Sequence, residues 1–472
     1  MKNKYSIISL FSGAGGLDLG FLLNGKFEIK FANEILKAPV LTYSKNFKIP
    51  ISESRNLKEI EMPVIIHNNI ENIDFSDFPL KNIDVVIGGP PCQDFSVLRG
   101  KSKRKGVEVK RGRLYSHFVR ALVYLKPKVF LFENVPGLIT SNEGFAFETI
   151  KEDFKNLSLR WDEVKKLVQN GSEIEKNIGY ELIFSNVLEF YVLGVPQMRR
   201  RLIIIGIRND LINNLDLIMR RNIEKNLRDE LEGKKFNFKY YPLTPLEVFE
   251  GKILTDLQEK YEKIMKDYSN IADEVNTPRA KIWKNKIFKN LTFNIIDDYI
   301  YLNKYKKLDS LEYMRFVKDV MAEHEEVLKL LDYLNKPIRI SKFPDNSNKI
   351  PNESKNVIER MSKIPPGENY AFLNGTKWEV KGLMSNIYRR VHPLEPAQTV
   401  IAYGGGGTWG YHYEKDRGRL TNRELARLQT FPDWFLFSGN SQEIRAQIGE
   451  AVPPLAGYRI SKVLEQILSF FD

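Results

Sequence analysis

The sequence predicts an α/β protein, a doubly wound and mostly parallel sheet accompanied by a second, smaller domain. Three observations carry that expectation. Residues 5–11, 83–87 and 128–132 are short, nearly continuous apolar runs, the pattern of strands covered on both faces. Such runs end at turn residues, as in Ser12-Gly13-Ala14-Gly15-Gly16, which opens a helical pattern through Leu17, Leu19, Phe21 and Leu22. Past about residue 212 the character changes to Lys-, Glu- and Asn-rich helical stretches, as befits a separate domain.

The chain of 472 residues has room for two or three domains, and 42% hydrophobic residues supply a core. Cys92 is the only cysteine, which excludes an internal disulfide framework and any multi-cysteine metal site. Five scattered histidines without His-x-x-x-His spacing argue against a zinc enzyme, and no metal site is expected. The net charge of +12 favours a polyanionic partner. Residues 1–11 imitate the start of a signal peptide, but the apolar run breaks at the glycine turn and meets Asp18. Nowhere does the chain reach the ~18 uninterrupted apolar residues of a membrane span. A soluble cytoplasmic protein without a membrane partner is expected.

In chain order, the strand at 5–11, the glycine turn and the helix have the layout of a nucleotide-type cofactor site, where backbone approaches the ligand closely. The turn is neither a dinucleotide fingerprint nor a phosphate-binding loop. A second strand, 27–32, ends in Asn33-Glu34, and an acidic residue at that tip commonly accepts from ribose hydroxyls. A short segment at 64–70 precedes the strand at 83–87, which runs into Gly88-Gly89-Pro90-Pro91-Cys92-Gln93. Two glycines and two prolines fix a sharp turn that holds the thiol at the strand's carboxyl end, where open α/β sheets place their chemistry. A Pro-Pro-Cys-Gln turn is a poor place to bury a side chain, which favours a nucleophile over a small core residue.

Residues 94–113 form a basic loop in which Arg99, Lys101, Lys103, Arg104, Lys105, Lys110, Arg111 and Arg113 face only Asp94 and Glu108. Its glycines make it mobile, suited to closing over phosphates. A helix is expected at 114–125. The strand at 128–132 ends in Glu133-Asn134-Val135, a carboxylate on the side expected for Cys92, where a raised pKa would let it donate a proton. Two closing strands, 181–188 and 202–208, flank Gln197-Met198-Arg199-Arg200-Arg201, whose alternation gives Arg199 and Arg201 a shared face. Helical patterns follow at 222–234, 254–271 and 317–334. A glycine run spans 403–410, a helix 421–431, and an amphipathic helix at 455–471 packs back on the first domain.

The turn Phe11-Ser12-Gly13-Ala14-Gly15-Gly16, the Pro-Pro-Cys-Gln turn, Glu133-Asn134-Val135, Gln197-x-Arg199-x-Arg201, the block 389–400 and Gly449-Glu450-Ala451-Val452-Pro453-Pro454 occur in this order. The ordered set resembles the cytosine-5 DNA methyltransferases of bacterial and archaeal restriction–modification systems. The resemblance covers about half of the chain and implies a sheet of the S-adenosylmethionine-dependent methyltransferase type, with residues 1–235 catalytic, 236–435 a target recognition domain and 436–472 a return to the catalytic domain. It implies that Cys92 adds to carbon 6 of a flipped-out cytosine and that Glu133 protonates ring nitrogen 3. Arg201 would hold the ring carbonyl, and Arg199 would orient the base and thiolate.

S-adenosylmethionine is the implied methyl donor, met by Phe11, Gly13, Gly15, Gly16, Glu34, Asn69, Pro91, Leu114, Glu450 and Val452. Three positions depart from the family: Asn69 stands where Asp is usual, Glu450 where Asn is frequent, and Ser9 where some members carry Asp. Double-stranded DNA is the implied partner, contacted by Gln93, Ser96, Arg99, Lys103, Arg104, Lys105, Arg389, Arg390, Thr408 and Trp409. The basic loop would hold phosphates, while the stretch 382–413 would read bases. A monomer is expected, and a stand-alone enzyme of this size suggests a cognate restriction endonuclease. Two alternatives are methylation of tRNA, whose enzymes have a much shorter recognition segment, and an inactive DNA-binding relative, which would have lost Cys92 or Glu133.

Overall fold

The apolar runs assemble into one eight-stranded sheet in the computed structural model, which describes residues 4–91, 113–168, 178–304, 308–380, 387–404, 407–408 and 410–472. Two units emerge. Unit 1 gathers Met1–Glu189, Arg200–Lys235 and Ala456–Asp472; unit 2 gathers Phe190–Arg199 and Phe236–Leu455 and is nearly as long. By packing, residues 436–455 belong with unit 2, and so does the short segment that ends in Arg199.

The strands of unit 1 are β1 (Tyr5–Leu10), β2 (Phe27–Glu34), β3 (Ile51–Ser52), β4 (Val64–His67), β5 (Val85–Gly88), β6 (Val129–Asn134), β7 (Tyr180–Glu189) and β9 (Arg200–Arg208), with β8 (Gln197–Met198) in unit 2. The sheet order is β3-β4-β2-β1-β5-β6-β9-β7. All neighbours from β3 to β6 pair in parallel, and β9 runs antiparallel to both β6 and β7. Strand order therefore reverses about β1, and the crevice where such sheets bind ligands opens at the carboxyl ends of β1 and β5.

The continuous apolar runs follow from burial on both faces. On β4, Val64 and Ile66 join a cluster with Ile8, Leu10, Phe118, Phe130, Phe132 and Phe154, while Ile65 between them joins Ile29, Val40 and Tyr43. Both β2 and β6 run two residues further than their apolar runs. Pairing carries on through polar residues there: Asn33 lies opposite Leu10 and Ile66, and Asn134 opposite Leu202. Glu34 and Glu133 thus sit on strands rather than in loops. The last helix, Pro454–Leu468, joins unit 1 from Ala456 onward; Asn24 Nδ2 donates to its Ser461 Oγ at 3.1 Å, and Tyr5 Oη donates to Asp472 at 2.9 Å.

Unit 2 consists mainly of short helices and turns around Tyr268, Ile271, Trp283, Met361, Ile364, Phe372 and Tyr411, with one ribbon pairing β8 and β10 (Ala397–Gln398) in parallel. The long helical pattern at 254–271 is broken: Gln258–Lys266 stops at Asp267, and the polar turn after it precedes Ile271–Val275. Side chains of Asp, Ser and Asn compete for backbone bonds and favour such breaks. Thr421 and Glu424 form a capping box that opens Asn422–Leu428.

Candidate active site

Every site residue of unit 1 that the structure describes lies at the carboxyl edge of the sheet or in the turns beyond it. Past β1, Phe11 adopts φ +55°, a left-handed conformation that costs a non-glycine residue roughly 1–3 kcal/mol and clusters at functional sites. Ser12 N donates to the Asn33 carbonyl at 3.0 Å, and Gly13 N donates to Glu34 Oε2 at 2.9 Å. The other Glu34 oxygen accepts from Ile35 N and Leu36 N, each at 2.8 Å. Glu34, only 8% exposed, therefore braces the glycine turn.

The turn is open above Gly13, where an added Cβ would meet nothing within 4 Å. Gly15 is different: at φ +85° its Cβ would come within 2.3 Å of the Phe47 ring, so packing demands that glycine. Beside Glu34, Ile35 and Leu36 are 56% and 49% exposed, an apolar face that the sequence reading missed. Asn33, also missed, ties β2 to β4 by donating to the carbonyls of Ile66 (3.2 Å) and Asn68 (2.8 Å). Asn69 Oδ1 caps Glu71 N at 3.1 Å.

At the end of β5 the backbone turns through Gly89, Pro90 and Pro91. A Cβ on Gly89 would lie 2.6 Å from Glu133 Oε2, so glycine is what lets the carboxylate close on the turn. Asn134 Nδ2 donates to the Pro90 carbonyl at 3.0 Å and fixes the turn to β6. Arg201 Nε meets Glu133 Oε1 at 2.9 Å, the two side chains being 15% and 12% exposed, and Arg201 Nη1 donates to the Arg200 carbonyl. Leu114 is half-buried in the first turn of the helix Arg113–Leu125. Cys92, Gln93, Ser96, Arg99, Lys103, Arg104, Lys105 and Trp409 lie outside the described residues, as does the basic loop through residue 112.

Two arginines have other work than expected. Arg199 is fully buried, and its guanidinium donates to the carbonyls of Val400, Gly449 and Ala451. A shared face with Arg201 requires one regular strand, but Arg199 falls in the break between β8 and β9. Arg390, expected at DNA, is also fully buried and donates to the carbonyls of Met361, Ile364, His412, Glu414 and Lys415. Its five fixed donors suit carbonyls that no strand partner satisfies. Arg389 and Thr408 remain half-buried and line a cavity of about 500 Å³ in unit 2, with Lys239 and His392. Glu450 is exposed at the end of the helix Ser441–Glu450, and Val452 is buried. Among the described residues no group of three or more His, Cys, Asp or Glu could hold a metal ion, and no helix is long and apolar enough to cross a membrane.

The profile of the C-5 cytosine-specific DNA methylases matches residues 5–466. The chain belongs to that family. It is 50% identical over 471 residues to DNA (cytosine-5-)-methyltransferase M.ApeKI of Aeropyrum pernix, covering 99% of each chain. It is 31% identical to type II methyltransferase M.NgoFVII of Neisseria gonorrhoeae, covering 99% of this chain and 88% of the relative. A solved DNA modification methyltransferase encoded within an E. coli prophage shares the fold at TM-score 0.53 and 21% identity, over 99% of this chain and all of that one. The mostly parallel sheet of the methyltransferase type and the enzyme class implied by the ordered motifs are thereby established.

Proposed function

We propose that this methylase transfers a methyl group from S-adenosylmethionine to carbon 5 of a cytosine in specific sequences of double-stranded DNA. We propose further that it is the modifying half of a type II restriction–modification system. What carries the reading is the Glu133–Arg201 pair set against the Pro90-Pro91 turn, at the sheet edge that also bears the open glycine turn.

The residues present fit the cofactor. The space above Gly13 is open, Phe11 and the exposed Ile35 offer apolar faces for adenine, and Glu34 brings a carboxylate, the group that accepts from ribose hydroxyls. Asn69, whose side-chain oxygen also caps Glu71 N, would meet the adenine amino group, and Glu450 would accept from the amino-acid end. S-adenosylmethionine, when bound, supplies an electrophilic methyl group on a positively charged sulfur.

The chain's residues prepare the ring. Cys92, which follows Pro91, adds as thiolate to carbon 6, and the electron pair of the 5,6 double bond moves into the ring. Glu133 delivers a proton to ring nitrogen 3, so charge does not accumulate. Arg201 holds the ring carbonyl and steadies Glu133. Once carbon 5 carries the methyl group, loss of its proton restores the double bond and expels the Cys92 thiolate, and ring nitrogen 3 returns its proton to Glu133. These atoms are inaccessible within a duplex, so the base is flipped out.

Transfer of labelled methyl groups to duplex DNA and to tRNA, side by side, tests the reading. Wild type labels DNA, whereas Cys92→Ser binds DNA but transfers nothing. Labelling of tRNA alone, or full turnover by Cys92→Ser, would overturn it.

A further inference from the structure

Arg199 reaches far along the chain. Its Nη1 donates to the Val400 carbonyl at 3.1 Å, and its Nη2 donates to the carbonyls of Gly449 and Ala451, each at 2.9 Å. The neighbouring side chains reinforce the same junction within unit 2. Gln197 Oε1 accepts from Val400 N at 3.0 Å, while its Nε2 donates to Gln429 Oε1 at 2.8 Å; Gln429 Nε2 donates in turn to the Ala451 carbonyl at 3.2 Å. The backbones themselves touch, since a Cβ on Gly449 would lie 2.2 Å from Ala402 N. Residues 400–402 and 449–451 therefore have one mutual arrangement, and one guanidinium is bonded to both. Glu450 and its neighbours stand on the backbone that this guanidinium holds.

Resting on the reading of Glu450 as a contact of the cofactor's amino-acid end, we propose that Arg199 is a positioning residue for S-adenosylmethionine. It acts through the backbone that presents Glu450 and Val452, and not on the target base. A planar fork spreads fixed donors over separate nitrogens and so spans these three carbonyls, whereas a lysine's three donors radiate from one atom on a flexible stem. Losing the fork leaves buried carbonyls unmet and frees the segment to shift, and displacements of about 1 Å suffice to cost a binding or catalytic site much of its effect.

The test uses the full-length protein with Arg199→Lys, Glu450→Gln and the double variant. Calorimetry gives the dissociation constant for S-adenosylmethionine, steady-state kinetics on duplex DNA give KM and kcat, and a thermal midpoint is recorded for each. Arg199→Lys is expected to raise both the dissociation constant and KM for the cofactor by roughly tenfold to a hundredfold. Its kcat at saturating cofactor should stay within about threefold of wild type. In the double variant the losses should not add, because Glu450 is already misplaced. A fall in kcat with unchanged KM would assign Arg199 to the base and overturn the inference. So would a lowered thermal midpoint with unchanged cofactor affinity, or additive losses. If Glu450→Gln alone binds the cofactor as tightly as wild type, the reading of Glu450 fails and takes this inference with it. If Glu450→Gln binds weakly while Arg199→Lys does not, only the inference fails.

Discussion

In unit 1 the backbone's donors and acceptors meet one another across eight strands, and side chains are left to pack. In unit 2, whose only strand ladder among the described residues joins β8 and β10, carbonyls from distant turns converge instead on buried guanidinium groups. Arg390 gathers five of them. Arg423 joins Asp345, Ser347 and the Phe435 carbonyl, and Arg427 joins Asp433 to the carbonyls of Val248 and Lys336. A sheet needs periodic sequence and tolerates any apolar residue of fitting shape. A guanidinium clamp needs no periodicity, but it cannot lose its fork.

That contrast is sharpest in substitutions that look mild. Arg427→Met leaves the Asp433 carboxylate buried without its partner, and the carbonyls of Val248 and Lys336 without donors. The loss should be about 3–5 kcal/mol, the usual result of removing one member of a buried pair. Ile204→Leu, equally buried on β9 in unit 1, should cost less than about 1.5 kcal/mol. Denaturant midpoints of the two variants compare the units directly. Equal losses would mean that the clamps carry no more than packing does.

The two units should also respond to pH in different windows. Asp18, in unit 1, is fully buried behind the glycine turn; burial pushes its carboxyl up to about 6, with hydrogen bonds from Ser9 and Tyr43 opposing the shift. The folded state then keeps a proton that the unfolded chain has lost. Stability is greatest below about pH 4 in this respect and falls by on the order of 3 kcal/mol as pH climbs to about 6. Asp18→Asn can still accept from Tyr43 and should abolish that slope. Parallel urea profiles for variant and wild type between pH 4 and 7 would show that Asp18 does not titrate there.

The same contrast decides what was legible in the sequence. Buried strands announce themselves as apolar runs, and the turns at their carboxyl ends as glycine and proline, so the sheet and the neighbourhood of Glu34, Pro91 and Glu133 could be read directly. Asn33 and Asn134 could not: their work is to join turns that only the fold brings together. Ile35 had a faint signal, an apolar residue directly after an acidic strand tip. The burial of Arg199 and Arg390 was not legible, because an arginine in a polar stretch carries no mark of it and the carbonyls it serves lie up to 252 residues away. The two-residue β3 has no pattern to read.

His324 tests unit 2 in the opposite pH range. Its Nδ1 lies 2.8 Å from Glu247 Oε1 and its Nε2 lies 2.9 Å from the Tyr241 carbonyl, so both nitrogens must donate and the buried ring is charged. Burial opposes that charge, but the Glu247 carboxylate and the bond to Tyr241 outweigh it and raise the pKa. The contribution is fully present below the ordinary value near 6.5 and is lost as pH rises through the raised folded value. About 1.5–3 kcal/mol, the worth of a charge-assisted hydrogen bond, is at stake. His324→Gln should flatten the alkaline limb of the stability profile. An unchanged limb would place its origin elsewhere.

The smallest effect is expected where unit 1 borrows the device of unit 2. At the sheet edge, where strand pairing stops, the Glu34 carboxylate gathers the N–H groups of Gly13, Ile35 and Leu36 much as Arg390 gathers carbonyls. Glu34→Ala removes both that brace and the acceptor proposed for ribose, and should weaken S-adenosylmethionine binding by about 1–3 kcal/mol. Glu34→Gln should rescue little, because its amide turns one donor toward N–H groups that need acceptors. Calorimetry alone would not separate the two roles, but amide exchange at Gly13 does. Weaker binding with faster Gly13 exchange means that Glu34 works through the turn; weaker binding with unchanged exchange means that it works by touching the cofactor. An unchanged dissociation constant would remove Glu34 from the site and leave it only the part that the unit 2 arginines play, holding together backbone that no strand holds.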